Sequence, residues 1–275
     1  MKPKKHLGQN FLINKTIANK IVNAVNLQNK VVLEIGPGKG ALSLCLIEKA
    51  QEVYAFEIDK SLKQYLDVLE EEHNNFKVIY DDILNVDLNK FIEEIKCESV
   101  SLVANIPYYI TGLLLNKIRD TKKIDTAVIM MQKEVGDRIL AEPGNKEYGS
   151  LTVLLNLHFN ISRVVNVKRT NFFPKPKVDS VVLKFERTNN HLDGLKSLKN
   201  FYEFIDAAFK MKRKTLLNNL SNYYGIGKDE TTEKLQKIEP DINVFERAEN
   251  ITLKRFIALS NGWYKWLKKH MLKLI

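Results

Sequence analysis

The chain has 275 residues, of which 43 are Lys or Arg and 33 are Asp or Glu, so its formal net charge is +10. A composition of 44% hydrophobic and 28% charged residues is that of an ordinary globular protein and excludes wholesale disorder. No apolar run approaches the roughly 18 residues that a membrane helix needs. Two cysteines form neither a disulfide framework nor a metal-binding spacing. We therefore expect a cytoplasmic protein with no membrane partner, whose excess positive charge favours a polyanionic partner.

The first two-thirds of the chain alternate short apolar segments with helical patterns. Helices are expected at Ala41–Lys49 and around Leu62, Leu66 and Leu69. Strands alternating with helices imply parallel pairing, and continuous apolarity implies burial on both faces. The pattern predicts an α/β fold, a Rossmann-like, mostly parallel, doubly wound sheet. Its expected strands are Val31–Ile35, Val53–Ile58, Phe76–Tyr80, Ser99–Ala104 and Thr126–Met131.

The pattern changes after the turn-rich stretch Glu142-Pro-Gly-Asn145. A helix is expected over Leu151–His158, followed by strands at Val164–Val167 and Val178–Phe185. The polar stretch Thr188–Gly194 has no period and is a suitable domain boundary. Beyond it, apolar residues recur at helical spacing. We therefore predict two domains, 1–187 and 188–275, the second of them small and all-helical.

The first chemistry-bearing segment is Glu34-Ile-Gly-Pro-Gly-Lys-Gly40, which follows a predicted strand and opens a helix. Gly36 and Gly38 allow the backbone to approach a ligand closely, at the N-terminus of the helix. The spacing departs from the dinucleotide fingerprint. A tight turn without a ligand is the structural alternative.

Acidic residues follow the next two predicted strands. Glu57 stands 21 residues after Gly36, where a carboxylate can accept hydrogen bonds from both hydroxyls of a ribose. Asp82 could accept from an adenine amino group, with Ile83 beside the ring. Together with the glycines, these residues predict a site for an adenosine-containing cofactor, either NAD or S-adenosylmethionine.

The segment after the fourth predicted strand, Asn105-Ile-Pro-Tyr-Tyr109, suits methylation of an amino group. An amino group conjugated into a base is a poor nucleophile because its lone pair is delocalised over the ring. The Asn105 side-chain oxygen and a backbone carbonyl beside Pro107 can hold its two hydrogens and free that lone pair. Tyr108 offers an aromatic face for a flipped base. The alternative is a buried Asn-Pro turn with core tyrosines. We take Asn105, Ile106, Pro107 and Tyr108 as candidate catalytic residues.

These motifs resemble those of the ribosomal RNA adenine N6,N6-dimethyltransferases. Asn105–Tyr108 is similar to the catalytic motif of amino-group adenine methyltransferases, and Gly8-Gln-Asn-Phe-Leu12 is similar to the opening motif of this family. The likeness runs in order from about residue 5 to about residue 262. Segments that resemble the small-subunit (KsgA) type rather than the erythromycin-resistance methylases of large-subunit RNA are Gln132–Val135, Phe172–Ser180, Ala208–Leu216 and Arg247–Thr252.

The resemblance implies roles for individual residues. Asn10 and Leu12 would line the cofactor site, with Gly36 and Gly38 near the methionine end of S-adenosylmethionine. Glu57 would hold the ribose, with Ile58 beside the adenine that Asp82 and Ile83 read. Asn105 would sit between cofactor and target, as a cofactor-binding as well as a catalytic residue, and Phe173 would help to hold the target base, opposite Tyr108. The family usually continues Asn-Ile-Ser-Thr after the tyrosine, whereas this chain has Tyr109-Ile-Thr-Gly112, a departure on the target side of the site.

The implied function is transfer of methyl groups from S-adenosylmethionine to two adjacent adenosines near the 3′ end of small-subunit (16S) RNA. Residues 1–187 would form the catalytic domain and 188–275 an RNA-binding or ribosome-binding domain. The partners would be that RNA and the assembling 30S particle, and we expect a monomer. Three alternatives stay open: a large-subunit methylase of the resistance type, a ribosome-assembly factor with incidental methylation, and, for the glycine turn alone, a nicotinamide dehydrogenase.

Charge distribution supports an RNA partner. Residues 186–275 hold 17 Lys or Arg against 11 Asp or Glu. The basic run Lys210-Met-Lys-Arg-Lys214 is predicted to lie on a helix and to contact RNA phosphates, with a solvated helix face as the alternative. The five histidines form neither a triad nor a metal spacing, and we expect no metal site.

Overall fold

The computed structural model describes residues 3–4 and 7–271. The chain divides into two compact units. The first comprises the described residues up to Gly136 together with Asn160–Arg187, and the second comprises Asp137–Phe159 and the described residues from Thr188 onward. Within the described part of the chain, no helix is both long and apolar enough to cross a membrane.

A seven-stranded sheet forms the centre of the first unit. Its strands, in their order across the sheet, are β4 (Phe76–Ile79), β3 (Glu52–Phe56), β2 (Val31–Ile35), β5 (Val100–Asn105), β6 (Ile124–Gln132), β9 (Ser180–Arg187) and β7 (Phe159–Val167). The strands from β4 to β6 pair in parallel, whereas β6 and β9 pair antiparallel. The predicted Rossmann-like, mostly parallel sheet is therefore confirmed.

Helices connect the parallel strands of this unit. Asn14 and Asp87 cap two of them by accepting hydrogen bonds from backbone amides of the first turn. Buried apolar residues on one face of the sheet, such as Val32, Val53 and Val103, form a core cluster with buried residues of the helices that cover that face. The helices are α1 (Lys15–Val22), α2 (Ser43–Ile47), α3 (Lys63–Glu72), α4 (Leu88–Glu94) and α5 (Thr111–Asp120), with α6 (Lys133–Ile139) crossing from the first unit to the second.

Two short strands form a separate ribbon. β1 (Phe11–Leu12) pairs antiparallel with β8 (Phe172–Phe173). Neither strand is evident from sequence, since two residues are too few for an alternating pattern to be seen. The ribbon joins the N-terminal segment to a part of the chain about 160 residues away.

The second unit is built from helices. Ser197 and Thr215 cap two of them, and Gly225 ends one with a φ of 64°. The chain passes from the first unit to the second between residues 187 and 188, where the sequence predicts the domain boundary. Residues 137–159, however, lie in the second unit rather than the first. Val153 and Leu157 belong to its apolar core, which explains that placement. The helices are α7 (Ser150–His158), α8 (Leu198–Phe209), α9 (Leu216–Tyr224), α10 (Lys228–Ile238) and α11 (Leu253–Met271).

Candidate active site

A cavity of the first unit opens where β2, β3 and β5 end, beside the loop that follows β4. The carboxyl ends of parallel strands meet at one edge of a sheet, so residues distant in sequence come together there. Residues 7–12 complete the wall. The following predicted site residues line the cavity: Asn10, Leu12, Gly36, Gly38, Glu57, Ile58, Asp82, Ile83, Asn105, Ile106, Pro107 and Tyr108. Their individual roles remain predictions.

The glycine turn after β2 adopts a backbone conformation that suits glycine. Gly36 and Gly38 have φ angles of 71° and 62°, in the left-handed region. A Cβ atom on Gly36 would lie 3.1 Å from the backbone oxygen of Asn105. A side chain at this position would therefore crowd the segment predicted to be catalytic.

Backbone amides hold Glu57 in place just beyond β3. Its Oε1 accepts a hydrogen bond from the amide of Asp59 at 2.8 Å, and its Oε2 accepts one from the amide of Gly38 at 3.2 Å. Burial raises the pKa of the carboxyl group, and these hydrogen bonds oppose that rise. An oriented carboxyl group on the cavity wall is suited to a pair of ribose hydroxyls.

Asp59 fastens the N-terminal segment to the end of β3. Its buried carboxylate accepts hydrogen bonds from Lys4 Nζ and Gln9 Nε2, both at 2.6 Å. Burial acts to raise the pKa of this group, but Lys4, Ser61 and Gln9 outweigh burial and lower the pKa to about 2. No sequence pattern pointed to Asp59, because its partners lie 50 and 55 positions away.

The loop after β4 supplies the wall predicted to face an adenine. Ile83 is buried, and Ile58 is more exposed on the same cavity. Asp82 Oδ1 accepts a hydrogen bond from the Leu84 amide at 2.9 Å, which orients the carboxylate. Apolar walls with one oriented acceptor match an aromatic ring that carries an amino group.

Asn105 ends β5 and begins the predicted catalytic segment. Its Nδ2 donates a long hydrogen bond of 3.5 Å to the backbone oxygen of Asn10, so that Oδ1 is the atom suited to accept from a substrate. The carbonyl of Pro107 already accepts a hydrogen bond from the Ile110 amide at 3.2 Å. The carbonyl of Ile106 is therefore the better candidate for the second acceptor.

Tyr108 is anchored at its hydroxyl end. The phenol oxygen lies 3.0 Å from Oγ of Ser180, a buried residue of β9. Burial raises the pKa of the phenol, and the hydrogen bond with Ser180 opposes that rise. Because the hydroxyl is tethered, the ring is restrained, as a stacking surface for a base requires.

Phe173, predicted to help hold the target base, does not line the cavity, whereas its neighbour Phe172 does. Phe172 is 4% exposed and Phe173 59% exposed. Phe172 is paired with Leu12 and Phe173 with Phe11, so the two phenylalanines project to opposite faces of the ribbon. We therefore take Phe172 as the candidate for holding the target base from within the cavity, and the role of either phenylalanine stays a prediction. The sequence offered no basis for choosing between adjacent phenylalanines of a two-residue strand.

Glu34, in β2 just before the glycine turn, received no role from the sequence. It is fully buried, and its oxygens accept no hydrogen bond from described residues, although the Ser43 hydroxyl lies beside them outside hydrogen-bonding geometry. Burial raises its pKa to about 8, with Ser43 opposing the rise and Glu57 adding to it. The folded protein therefore holds Glu34 protonated at neutral pH.

The basic run Lys210–Lys214 is not on a helix, contrary to prediction. α8 ends at Phe209, and the run forms the exposed turn that leads to α9. Buried Asn219 holds this turn: its Nδ2 donates to the carbonyl of Ala208 at 2.8 Å, and its Oδ1 accepts from the Met211 amide at 3.0 Å. These hydrogen bonds satisfy a carbonyl and an amide at the end of the helix. They therefore stabilise the turn from which the basic side chains extend.

The cavity residues fit S-adenosylmethionine by their chemistry. The glycine turn leaves room for a close approach, Glu57 suits a ribose, and the wall around Asp82 suits an adenine. Among the described residues, no group of three or more His, Cys, Asp or Glu is placed to hold a metal ion.

The fold and the cavity define a class, the Rossmann-like S-adenosylmethionine-dependent methyltransferases. A dimethyladenosine transferase from Plasmodium falciparum superposes with a TM-score of 0.77 at 27% identity, covering 93% of this chain and 98% of that one. A 23S rRNA methyltransferase, ErmE, has a TM-score of 0.71 at 24% identity over 92% of this chain and 99% of its own, and supports the fold alone.

The chain belongs to the ribosomal RNA adenine dimethylase family, whose model matches residues 1–261. It is 45% identical over 266 residues to a ribosomal RNA small subunit methyltransferase A from Aster yellows witches'-broom phytoplasma, covering 96% of this chain and 97% of the relative. A protein of the same name from Clostridium botulinum is 39% identical over 263 residues, 94% of each chain. The protein is thus an rRNA adenine dimethyltransferase, and its family implies S-adenosylmethionine-dependent chemistry.

Proposed function

We propose that this protein dimethylates the N6 amino groups of two adjacent adenosines near the 3′ end of small-subunit (16S) rRNA during assembly of the 30S subunit. It would act as a cytoplasmic monomer. The observation that carries this proposal is that the Asn105–Tyr108 segment lines the same cavity as Glu57 and the glycine turn. Relatives at 39–45% identity are named as small-subunit enzymes, which favours that substrate over the 23S RNA of the resistance-type methylases.

The cofactor would lie across the carboxyl edge of the sheet. Glu57 would bind the ribose, Asp82 and Ile83 the adenine, and the glycine turn the methionine end, with Asn10 on the N-terminal side. When bound, S-adenosylmethionine supplies a methyl group that its sulfonium already activates. The protein's task is then to place the target nitrogen in line with that methyl group and to exclude water.

Asn105 and Ile106 would prepare the target nitrogen. The Asn105 Oδ1 and the Ile106 carbonyl would each accept one hydrogen of the adenine amino group, which turns the nitrogen towards tetrahedral geometry and makes its lone pair available. Tyr108 and Phe172 would hold the flipped base by its faces. No strong base is required, since alkylation itself makes the nitrogen acidic.

The second unit would hold the RNA through the exposed basic turn. Lysine and arginine contacts to phosphates position a protein and make its affinity salt-dependent, but they carry no sequence information. Selection of two particular adenosines would therefore depend on recognition of the folded RNA or particle.

The substrate can be tested with undermethylated small subunits. They are incubated with the purified protein and a labelled methyl donor, and the positions of the label in the RNA are then mapped base by base. We expect label on two adjacent adenosines near the 3′ end of 16S RNA. Label found only in 23S RNA would refute the proposal and favour a resistance-type enzyme. Stable binding to the particle without any label would favour an assembly factor.

Replacement of Asn105 tests the acceptor pair. We expect Asn105→Ala to reduce the rate constant of methyl transfer by about a hundredfold, the order of effect that follows loss of one preorganised polar group at a reacting centre. Binding of S-adenosylhomocysteine, measured by calorimetry, should change far less. The matched control is Asn89→Ala on the exposed face of α4, which should keep the original rate. An unchanged rate in Asn105→Ala would show that the acceptor-pair mechanism is wrong.

A further inference from the structure

Four large apolar side chains of the first unit are conspicuously exposed. In the described part of that unit, they are the large hydrophobic residues with more than half of their surface in solvent, and the next most exposed reach 46%. We call them the apolar rim: Ile13 at 63%, Tyr109 at 60%, Leu113 at 59% and Phe173 at 59%. Exposed apolar groups gathered in one region mark sites of interaction.

The four residues lie on three segments that border the cavity: Ile13 follows β1, Tyr109 and Leu113 follow β5, and Phe173 is in β8. Tyr109 follows the catalytic tyrosine and lines the cavity mouth itself, and Leu113 lies four residues further on, on the same side of the helical segment. Phe173 is paired across the ribbon with Phe11, another cavity-lining residue. Residues paired in this way have Cβ atoms roughly 5 Å apart on one face.

The N-terminal segment and the segment after β5 also contact each other at the cavity mouth. A Cβ atom built on Gly8, in the N-terminal segment, would lie 3.4 Å from Pro107 Cβ and 3.6 Å from the ring of Tyr109. Gly8 thus lies in van der Waals contact range of this part of the predicted catalytic segment, with a φ of 62° that suits glycine. The Tyr109 ring is therefore supported on one side and open to solvent on the other.

We infer that the apolar rim binds the unpaired nucleobases that flank the target adenosine, by stacking on Tyr109 and Phe173. This inference rests on the proposed function, because an adenosine that enters the cavity brings its covalent neighbours to the cavity mouth. Every base has a π-face, and base stacking on aromatic side chains is tolerant of sequence. The rim binds the second of the two adjacent adenosines while the first occupies the cavity.

Charge and size favour RNA as the occupant. The rim itself carries no charge and so suits bases rather than phosphates, while Lys175 and Lys177, shortly after Phe173, are exposed and can meet the backbone. A stable protein interface buries about 800 Å² per partner, with some 20–30 residues on each side, far more than four side chains provide. Stacked bases match the scale of the rim better than a second protein does.

The test compares a fluorescein-labelled 12-nucleotide oligoadenylate with an abasic RNA of equal length and charge, by fluorescence anisotropy in the presence of S-adenosylhomocysteine. We expect Tyr109→Ala to raise the Kd for oligoadenylate about tenfold, within the range for removal of one base–aromatic stack. Phe173→Ala should act in the same direction. Tyr109→Phe should stay within about twofold of the original protein, because the stacking surface is kept. The Kd for abasic RNA should not change.

The matched control is Phe245→Ala, which removes an aromatic side chain that is 71% exposed in the second unit. It should leave both affinities unchanged. Calorimetric titration with S-adenosylhomocysteine confirms that each variant keeps a folded first unit. If Tyr109→Ala and Phe173→Ala still prefer oligoadenylate to abasic RNA as strongly as the original protein, the rim does not stack bases. A dimer in sedimentation that Tyr109→Ala converts to monomer would likewise overturn the inference, because a second copy would then be the occupant.

The two proposals fail separately. Methylation of 16S RNA by the original protein, with no effect of rim substitutions on oligoadenylate binding, refutes the rim but not the function. Rim-dependent stacking in a protein that does not label 16S RNA refutes the function but not the rim.

Discussion

The buried carboxyl of Glu34 makes a pH-dependent contribution to stability that a single substitution removes. The pKa of this group is raised from an ordinary 4.5 to about 8 by burial. Below pH 4.5 it is protonated in both the folded and unfolded chains. As the pH rises through the interval between these two values, the unfolded chain releases the proton while the folded chain retains it. Stability is therefore full below the unfolded pKa and declines until the pH passes the folded pKa.

The size of the decline follows from proton linkage. Each pH unit between the two pKa values costs about 1.4 kcal/mol for one proton. From pH 5 to pH 7, Glu34 should lower the free energy of unfolding by about 3 kcal/mol. Glu34→Gln has nearly the same shape and cannot ionise. The free energy of unfolding of the variant, relative to that of the original protein, should rise by that amount over the interval and level off near pH 8.

Urea denaturation at several pH values measures this difference. Both tryptophans, Trp263 and Trp266, lie in the second unit, so their fluorescence follows that unit, while far-UV circular dichroism follows both. The control Glu72→Gln removes an exposed carboxyl at the end of α3 and should run parallel to the original protein. Parallel curves for Glu34→Gln and the original protein would refute the assignment of a neutral, buried acid.

Two further predictions concern cofactor and RNA binding. Asp59→Ala should raise the Kd for S-adenosylhomocysteine about tenfold in calorimetry, because it removes the charged hydrogen bonds that anchor Lys4 and the cavity-lining Gln9. Changing the three basic residues 212–214 to Gln should weaken binding to small-subunit RNA and flatten its dependence on salt. The logarithmic slope should fall by about 0.7 for each phosphate that the variant no longer neutralises.

Each of these predictions has a matched control. Asp125→Ala breaks an ion pair with Lys30 of 2.8 Å in the same unit, away from the cavity, and should leave cofactor affinity unchanged. Equal weakening in the two aspartate variants would contradict a positioning role for Asp59. For the basic turn, replacing exposed Lys196, Lys199 and Lys228 by Gln removes the same charge from elsewhere in the second unit. If that variant lowers the salt slope equally, net charge rather than the turn determines RNA affinity.

Local patterns in the sequence predicted the strands of the sheet and the parts of the cavity wall that follow them, whereas Asn10 and Leu12 on the N-terminal wall were predicted only by the family resemblance. Buried parallel strands are continuous apolar runs, so β2, β3 and β5 were recognisable in the sequence. Each of these strands is followed by a short motif that can also be recognised from neighbouring residues alone. The glycine turn, Glu57 and Asn105–Tyr108 are of this kind. Their meeting in one cavity follows from parallel pairing, which brings the carboxyl ends of strands to one edge.

The tertiary structure alone decided the features that depend on pairing over long distances in sequence. It placed Phe172 rather than Phe173 on the cavity, because β8 pairs with β1 some 160 residues earlier. It joined Asp59 to Lys4, and it placed residues 137–159 with the C-terminal helices. It showed that Glu34 is fully enclosed, and this burial raises the pKa of its carboxyl group to about 8. A local pattern states what a residue can do, whereas the face it presents and the groups that surround it are set by chain contacts that no short stretch of sequence contains.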